Sequence, residues 1–270
     1  LITSLPLFLY LIFNFETKLI IRVAGKIKMN IFRKILWKLS KNNISLITCP
    51  TKETRNNLIK YNVIDETKII YLPDPVIDIK EICYQKKIQV EKNKFKKNSF
   101  VLVGRYTKQK NHLLAIKCFK KLLILNKNLN LFIIGEGELK KKYENEIEKQ
   151  NLAENIHLIN YQKNIHSYLS KSAALISTSL WEDPGFVMIE AAASNTLVIS
   201  SNCMSGPKEF IGKKNGILFE NNDLEDFEKK MIEYLNMSEA EIHKMRIGAK
   251  KMSINYTKLR HFKILTKYLV

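Results

Sequence analysis

The sequence predicts an α/β protein whose strands form parallel sheets. Short runs of β-branched residues alternate along the chain with longer amphipathic runs, a pattern typical of repeated strand–helix–strand units. The 270 residues, 46 % of them apolar, are enough for one large domain or two modest ones. The eight candidate strands cover residues 18–25, 44–49, 68–73, 100–104, 129–135, 155–159, 173–178 and 196–201.

The segment 76–98 is predicted to be a linker between two domains. Pro73 and Pro75 interrupt the alternation, and the run KKIQVEKNKFKKN has the charge density of a solvated connection. Residues 99–270 hold a full set of alternating elements and are predicted to form a doubly wound, Rossmann-like domain. Residues 1–75 hold three strands, too few for a parallel sheet covered on both faces. Because the chain does not open on methionine, we expect a partial first domain that is truncated at its N-terminus.

The composition excludes several classes of protein. A chain of this length with 26 % charged residues is not a disulfide-stapled miniprotein, a disordered chain or a polytopic membrane protein. The net charge of +19 favours polyanionic partners such as nucleic acid, anionic lipid or phosphorylated small molecules. A general lysine bias is the alternative, because the lysines are spread along the whole chain. The four cysteines indicate reduced thiols in a cytoplasmic protein, since none forms a CxxC pair: Cys49, Cys83, Cys118 and Cys203.

The run IFRKILWKLSK is predicted to form an amphipathic helix. Ile31, Ile35 and Leu39 lie on one stripe, with Phe32 and Leu36 beside it, and basic residues occupy the remaining surface. The pattern suits a helix that lies on an anionic bilayer, and it equally suits one that covers a sheet in a lysine-rich protein. Both interpretations stay open. The apolar run that opens the chain is too short to span a bilayer.

Two cations follow the candidate strand 100–104. Arg105 comes directly after the strand, and Lys110 precedes the next helical run. Ligands of doubly wound sheets bind outside the carboxyl ends of the strands, where a guanidinium fork and an ammonium group suit a diphosphate. The alternative is that both residues are ordinary surface charges.

The segment LWEDPGFVMIEAAASN carries two glutamates that point to a polar ligand. Glu190 lies inside a helix so apolar that it must be buried, and Glu182 lies on the turn just before that helix. A buried carboxylate is costly unless it is paired, and two such acceptors beside a helix N-terminus suit sugar hydroxyls next to a phosphate. The alternative is a structural ion pair between Glu190 and a buried cation.

Two further turns are predicted at the same edge of the sheet. Gly135 and Gly137 follow a strand and allow a close approach of the backbone. Ser205 and Gly206 precede Pro207 at the start of a short helix, whose free amides suit an anion. A simple helix cap explains the second turn equally well.

The chain resembles the family 4 retaining glycosyltransferases, which have the GT-B fold. The resemblance covers residues 100–234 and rests on the ordered motifs GRYTKQKN, LFIIGEGELK, NIHLINYQKN, LWEDPGFVMIEAAASNTLVISS and SGPKEFIGKKNGILF. It implies two Rossmann-like domains, the first incomplete here, with terminal helices that pack back toward the first domain. The first half is similar to the later part of the family's acceptor-binding domain, and YLPDP stands where that domain gives way to the linker.

By position, the resemblance implies a role for each candidate residue. Arg105 and Lys110 would bind the donor's diphosphate and stabilise the leaving group, and Glu182 would contact the transferred sugar. These three are the implied catalytic residues. Glu190 would hold the nucleotide ribose. The other implied donor-binding positions are Gly104, Gly135, Gly137, Tyr161, Gly185, Phe186, Ser205 and Gly206, of which Tyr161 would give backbone contacts to the base.

The sequence also departs from the family pattern. Asp183 and Pro184 replace a commoner glycine–aromatic pair, which leaves the donor sugar open, and Asn160 stands where glycine is frequent. The glycine-rich acceptor loop and the catalytic-site histidine of the family's first domain have no counterpart in this chain. Its five histidines are interpreted as surface or packing residues: His112, His157, His166, His243 and His261.

The expected function is that of a bacterial hexosyltransferase. It would move a sugar with retention of configuration from a UDP or GDP sugar to a polyprenyl-linked or oligosaccharide acceptor, in lipopolysaccharide or capsule biosynthesis. No cofactor is expected, because no DxD-like carboxylate pair follows a strand and the resemblance implies metal independence. The expected location is the cytoplasm, with peripheral attachment to the inner face of the plasma membrane as an open alternative. A noncatalytic scaffold, a nucleotide-sugar 2-epimerase and a nucleic-acid binder remain as other classes, the last without any supporting motif.

Overall fold

The computed structural model describes residues 4–13, 15–25, 28–88 and 98–269. The chain divides into two compact units, and each is described by itself. Unit 1 comprises Leu1–Pro75 and Leu259–Val270, and unit 2 comprises Val76–Lys258. None of the helices in the described ranges has the length and apolar content needed to cross a bilayer.

Unit 1 is built on a parallel sheet of three strands in the order β1-β2-β3. Trp37 and Leu58 pack from the helices onto the strands, and Asn30 and Thr51 cap two of these helices by accepting backbone N–H groups. The predicted strands 18–25, 44–49 and 68–73 are thereby found, two of them shorter than expected. The elements in chain order are α1 (Ser4–Ile12), β1 (Leu19–Arg22), α2 (Ile31–Leu39), β2 (Ile44–Cys49), α3 (Lys52–Ile59) and β3 (Ile69–Tyr71).

Unit 2 is built on a parallel sheet of six strands in the order β11-β9-β7-β4-β5-β6. A two-stranded parallel pair, β8 with β10, lies outside this sheet. The elements in chain order are α4 (Ile79–Lys87), β4 (Ser99–Val103), α5 (His112–Leu125), β5 (Asn130–Ile134), α6 (Lys140–Lys149), β6 (Ile156–Ile159), α7 (His166–Leu169), β7 (Ala174–Ser177), β8 (Trp181–Glu182), α8 (Phe186–Ala193), β9 (Leu197–Ser201), β10 (Met204–Ser205), α9 (Gly206–Phe210), β11 (Ile217–Phe219), α10 (Leu224–Leu235) and α11 (Glu239–Ser253). The last helix, α12 (Lys258–Leu265), leads into unit 1.

Both faces of the larger sheet are covered, as a doubly wound sheet requires. Alternate strand residues point to opposite faces, so that Phe100 and Leu102 join one core while Val101 joins the other. Helices α5, α6 and α10 cover the first face, and α4, α7, α8 and α11 cover the second. The five strands predicted for this sheet are found, and β11 is an addition at its edge.

The segment predicted to be a linker contains a helix over part of its length. Asp78 caps α4 by accepting the backbone N–H groups of Lys80 and Glu81, and Ile77 and Ile82 are buried in the core of unit 2. Residues 76–88 therefore belong to unit 2 and not to a solvated connection. The charged residues that suggested a linker are concentrated after α4, and residues 89–97 lie outside the described part of the chain.

Candidate functional site

The order of the strands in unit 2 creates a crevice at its centre. From β4 the sheet continues through β5 and β6 on one side, and through β7, β9 and β11 on the other. At such a switch point the connections leave in opposite directions, and a ligand crevice opens beyond the carboxyl ends of the two central strands. Here β4 leads into Gly104 and Arg105, and β7 leads into the turn that carries Glu182. The candidate residues are thus brought together from distant parts of the chain.

A cavity of about 890 Å³ opens at this edge of the sheet. The turns after β4, β5 and β6 line it together with one side of α8. Six of the residues predicted to bind a donor lie on its walls: Gly104, Arg105, Gly135, Gly137, Tyr161 and Glu190.

The two glycines after β5 allow the backbones of neighbouring turns to approach each other. Both have a φ close to +154°, and a Cβ at Gly135 would overlap the carbonyl oxygen of Gly104. A Cβ at Gly137 would collide with the backbone of Tyr106, whose N–H donates to the Glu136 carbonyl oxygen at 2.7 Å. The close approach predicted for these glycines is therefore made to the β4 turn, and this contact fixes the position of Arg105.

The buried rings of Tyr106, His112 and Tyr143 pack together beneath the turn that carries Arg105, on its core side. The hydroxyl of Tyr106 donates to the carbonyl oxygen of Ile133 at 2.8 Å, and its ring meets His112 and Tyr143 edge-on at centroid distances of 5.6 and 5.4 Å. Burial lowers the pKa of His112 to about 4, so the imidazole is neutral at physiological pH. His112 is a packing residue, as the sequence predicted.

Arg105 and Glu190 both line the cavity, and neither has a partner in the part of the chain that the structure describes. Arg105 is exposed, and neither its guanidinium nor the Glu190 carboxylate has a hydrogen bond or ion pair among the described residues. The alternative of a structural ion pair at Glu190 therefore finds no support in the described part of the chain. Burial raises the pKa of Glu190 to about 7, since the charged form loses solvation without gaining a partner.

Lys110 and Glu182 bind each other. The Lys110 Nζ forms an ion pair with Glu182 Oε1, and the Ser179 hydroxyl donates to the same oxygen at 2.7 Å. Both side chains of the pair are largely buried, and they lie with Gly185 around a cavity of about 20 Å³. Val103 and Val187 line this small cavity and the large one, so the ion pair lies next to the large cavity.

Ser205 and Gly206 support the turn that carries Glu182. Strand β10 pairs with β8, so that Ser205 stands beside Glu182, and its hydroxyl lies 3.3 Å from the Glu182 carbonyl oxygen. A Cβ at Gly206 would overlap the carbonyl oxygen of Pro184. Neither residue lines the two cavities, and their predicted role in donor binding stays a prediction. Phe186 is half exposed at the start of α8.

Sequence reasoning missed a wall of the large cavity. Helix α4 and its N-cap residue Asp78 contribute four side chains. The segment from the end of β6 to the first residue of α7 contributes four more that were not predicted, including a buried His166 whose Nδ1 lies 2.7 Å from the Ser194 hydroxyl. An aspartate three residues before a glutamate is a helix-start signal, and it stands at Asp78 and Glu81. The missed residues are Asp78, Glu81, Ile82, Gln85, Gln162, Lys163, Ile165 and His166.

A model of the family described as "Glycosyl transferases group 1" matches residues 84–252, more than half of the chain. The chain belongs to this family. The match begins inside α4 and ends inside α11, so it covers every strand of the unit 2 sheet. Among the described residues, no group of three or more His, Cys, Asp or Glu side chains is arranged to hold a metal ion.

Solved structures share the fold, and the predicted α/β architecture of the GT-B type is confirmed. Anabaena HepE in complex with UDP superposes with a TM-score of 0.82 at 12 % identity, over 99 % of this chain and 75 % of that one. A mutant of S. aureus TarM, in complex with Fondaparinux, alpha-GlcNAc-glycerol and UDP, superposes with a TM-score of 0.74 at 23 % identity, over 93 % of this chain and 50 % of that one.

Curated relatives are glycosyltransferases by name. The N-acetylgalactosamine-N,N'-diacetylbacillosaminyl-diphospho-undecaprenol 4-alpha-N-acetylgalactosaminyltransferase of Campylobacter jejuni is 31 % identical over 64 % of this chain and 47 % of its own length. The poly(ribitol-phosphate) alpha-N-acetylglucosaminyltransferase of Staphylococcus aureus is 36 % identical over 38 % of this chain and 21 % of its own length. The chain thus spans about half or less of the length of these relatives.

Proposed function

We propose that this chain is the donor-binding part of a retaining glycosyltransferase that takes a nucleotide-diphosphate sugar. The observation that carries the proposal is the cavity at the switch point of the sheet, which has Arg105 on one wall and Glu190 on another, both without a protein partner in the described ranges. A guanidinium that faces a cavity suits the anionic bridge of such a donor. An unpaired carboxylate suits the two hydroxyls of a ribose, because both can donate to it.

Arg105 and Lys110 are proposed to stabilise the leaving group. As the bond between the sugar's anomeric carbon and the diphosphate breaks, negative charge develops on the diphosphate oxygens, and positioned cations lower the energy of that transition state. Arg105 is already exposed to the cavity, whereas Lys110 is held next to it by Glu182. The Lys110 ammonium has three donors, so it retains two for a phosphate while it stays bound to Glu182.

Glu182 is proposed to act at the transferred sugar. Its second carboxylate oxygen, Oε2, takes no part in the bonds to Lys110 and Ser179, and it is the atom we assign to a sugar hydroxyl. Retention of configuration and the assignment to family 4 rest on the motif resemblance and are part of the proposal. The two cations take the charge-neutralising role here, so we expect turnover to persist in excess EDTA.

The acceptor is proposed to be a polyprenyl-linked or surface-glycan chain. The names of two relatives support this, since one includes diphospho-undecaprenol and the other poly(ribitol-phosphate). A UDP sugar is proposed as the donor, because two structural neighbours were solved in complex with UDP.

A thermal-shift screen of the full-length protein against UDP, GDP and ADP and their sugars tests the proposal. A ligand that binds the native state raises Tm, and UDP sugars are expected to give the largest rise. The Arg105→Ala variant is expected to lose the shift, while Lys108→Ala keeps it, because Lys108 is an exposed cation of the same turn that does not line the cavity. Absence of any nucleotide shift would overturn the proposal. Binding without transfer to any acceptor would favour the scaffold alternative, and isomerisation of the sugar without acceptor would favour the epimerase.

A further inference from the structure

Helix α2 of unit 1 presents its apolar stripe to solvent. Ile31, Phe32, Ile35 and Leu39 are 73, 83, 52 and 63 % exposed, although they are the residues that a sheet-covering helix would bury. The side of α2 that does face the sheet carries Trp37, which is only 3 % exposed. Of the two interpretations left open by the sequence, core packing therefore does not explain the stripe.

Helix α1 extends this apolar surface. It packs against α2, and the hydroxyl of Ser40 at the end of α2 lies 3.5 Å from the carbonyl oxygen of Leu7 in α1. Phe8 and Ile12 of α1 are also more than half exposed, and α1 contains no charged residue. We call the surface formed by Phe8, Ile12, Ile31, Phe32, Ile35 and Leu39 the apolar face of unit 1. Large apolar side chains exposed together on two helices that pack against each other are unusual for a protein surface and mark an interaction site.

The charged residues of the chain segment that carries α2 are all cationic, and the acidic residues Asp65 and Glu66 line a cavity together with Lys38 and Lys41. Residues 17–52 contain nine Lys and Arg and no Asp or Glu. Within and just after α2, Lys34, Lys38 and Lys41 have no carboxylate partner among the described residues. Lys34 lies over the ring of Tyr61, with its Nζ 5.8 Å from the ring centroid. An apolar stripe flanked by unpaired cations matches a surface that is apolar inside and anionic outside.

We propose that the apolar face of unit 1 lies in the interfacial region of an anionic phospholipid bilayer. Its apolar side chains would enter the boundary between headgroups and acyl chains, and Lys34, Lys38 and Lys41 would reach lipid phosphates. A second copy of the chain fits less well. A two-fold interface would bring two surfaces with the same excess of cations together, whereas an anionic bilayer supplies the opposite charge. This inference does not rest on the proposed function of unit 2.

Flotation of the full-length protein with vesicles tests the proposal. We expect binding to vesicles of phosphatidylcholine with phosphatidylglycerol, little binding to phosphatidylcholine alone, and weaker binding in high salt. The double variant Phe32→Ser/Ile35→Ser is expected to bind at least about tenfold more weakly, because two exposed apolar side chains lose their place in the bilayer. The matched control is Ile124→Ser/Leu125→Ser in unit 2, where two residues are similarly exposed without belonging to this face. It is expected to bind as the parent does.

Fluorescence quenching measures separately whether α2 enters the bilayer. Phe32→Trp is expected to be quenched by brominated lipids beyond the quenching of the parent protein, and Ile124→Trp is not. Failure to bind anionic vesicles, or equal loss of binding in the two serine variants, would overturn the proposal. Conversion of a dimer to a monomer by Phe32→Ser/Ile35→Ser would assign the face to a protein interface instead. The UDP-dependent rise in Tm is expected to be unchanged in both serine variants, so failure at the membrane is distinguishable from failure at the donor cavity.

Discussion

Two glutamates at the ends of one short stretch of chain have opposite environments. Glu182, just before α8, accepts hydrogen bonds from Lys110 and Ser179, while Glu190, inside α8, has no partner among the described residues. Both carboxyl groups are removed from water over much of their surface. We call the side of the crevice that carries the Lys110–Glu182 pair the closed side, because its charged groups bind each other. We call the side that carries Arg105 and Glu190 the open side, because neither has a partner among the described residues. We interpret the open side as the place where a ligand supplies the missing donors.

The unpaired Glu190 carboxylate on the open side lowers the free energy of unfolding when it is ionised. A rise of the Glu190 pKa from 4.5 to about 7 corresponds to roughly 3 kcal/mol for ionising the group in the folded protein. Among the described residues, no hydrogen bond or ion pair accounts for a carboxylate in the middle of a helix whose other residues are apolar. Uncompensated cost of this kind is concentrated at functional sites. The pair on the other side has its desolvation offset by mutual attraction and by the Ser179 hydrogen bond.

The largest effect is expected from removing the cation on the open side. Arg105→Ala should lower transfer by about a thousandfold, because the leaving diphosphate loses a positioned positive charge. The side chain is exposed and unpaired in the described structure, so Tm without ligand should change little. Steady-state rates with a UDP sugar measure the first effect, and Lys108→Ala, in the same turn, should stay within about twofold of the parent. Undiminished turnover of Arg105→Ala would mean that the open side is not the diphosphate side.

A stability cycle on the closed side is expected to show a smaller effect. Lys110→Met and Glu182→Gln should each lower the free energy of unfolding by about 2–4 kcal/mol, since each leaves the other polar group buried without its partner. The double variant should lose clearly less than the sum, because no uncompensated charge remains. Urea denaturation measures all three proteins. If the losses of the two single variants simply add in the double variant, Lys110 and Glu182 do not form a buried pair. Glu182 would then lack a partner just as Glu190 does.

At Glu190 the sign of the stability effect is expected to reverse. The carboxyl group has a pKa of about 7 in the folded protein and about 4.5 when unfolded, so folding is disfavoured as pH rises between these values. Glu190→Gln should therefore be more stable than the parent by about 1–3 kcal/mol at pH 8, and equally stable below pH 4.5. Urea melts at both pH values measure this. A variant less stable than the parent at pH 8 would imply a partner for Glu190 in the folded protein.

The sequence predicts most of the strands and the candidate residues, but not which of the charged residues bind each other. The alternation of apolar runs predicted five of the six strands of the unit 2 sheet, but it missed β11, whose three residues are too short to show a period. Glu190 could be selected because its neighbours are apolar. The Lys110–Glu182 pair could not, since the two residues are 72 positions apart and meet only because β4 and β7 are adjacent in the sheet. The sequence predicts a linker where α4 lies, because the charges that follow this helix outweigh its short apolar pattern.

The smallest effect expected is a change in donor affinity with pH. Ribose hydroxyls donate to the ionised form of Glu190, so below its pKa of about 7 the carboxyl group must release a proton before it can accept them. Affinity for UDP should therefore fall by about tenfold between pH 8 and pH 6. Calorimetry in buffers of different ionisation enthalpy measures both the affinity and the proton released. Because UDP titrates its own phosphate in the same range, Glu190→Gln is the control: only the difference between the two proteins reports the carboxyl group. If the pH profiles of the parent and of Glu190→Gln coincide, the charge of Glu190 does not contribute to ligand binding. Ligand binding would then not explain why this carboxylate has no partner among the described residues.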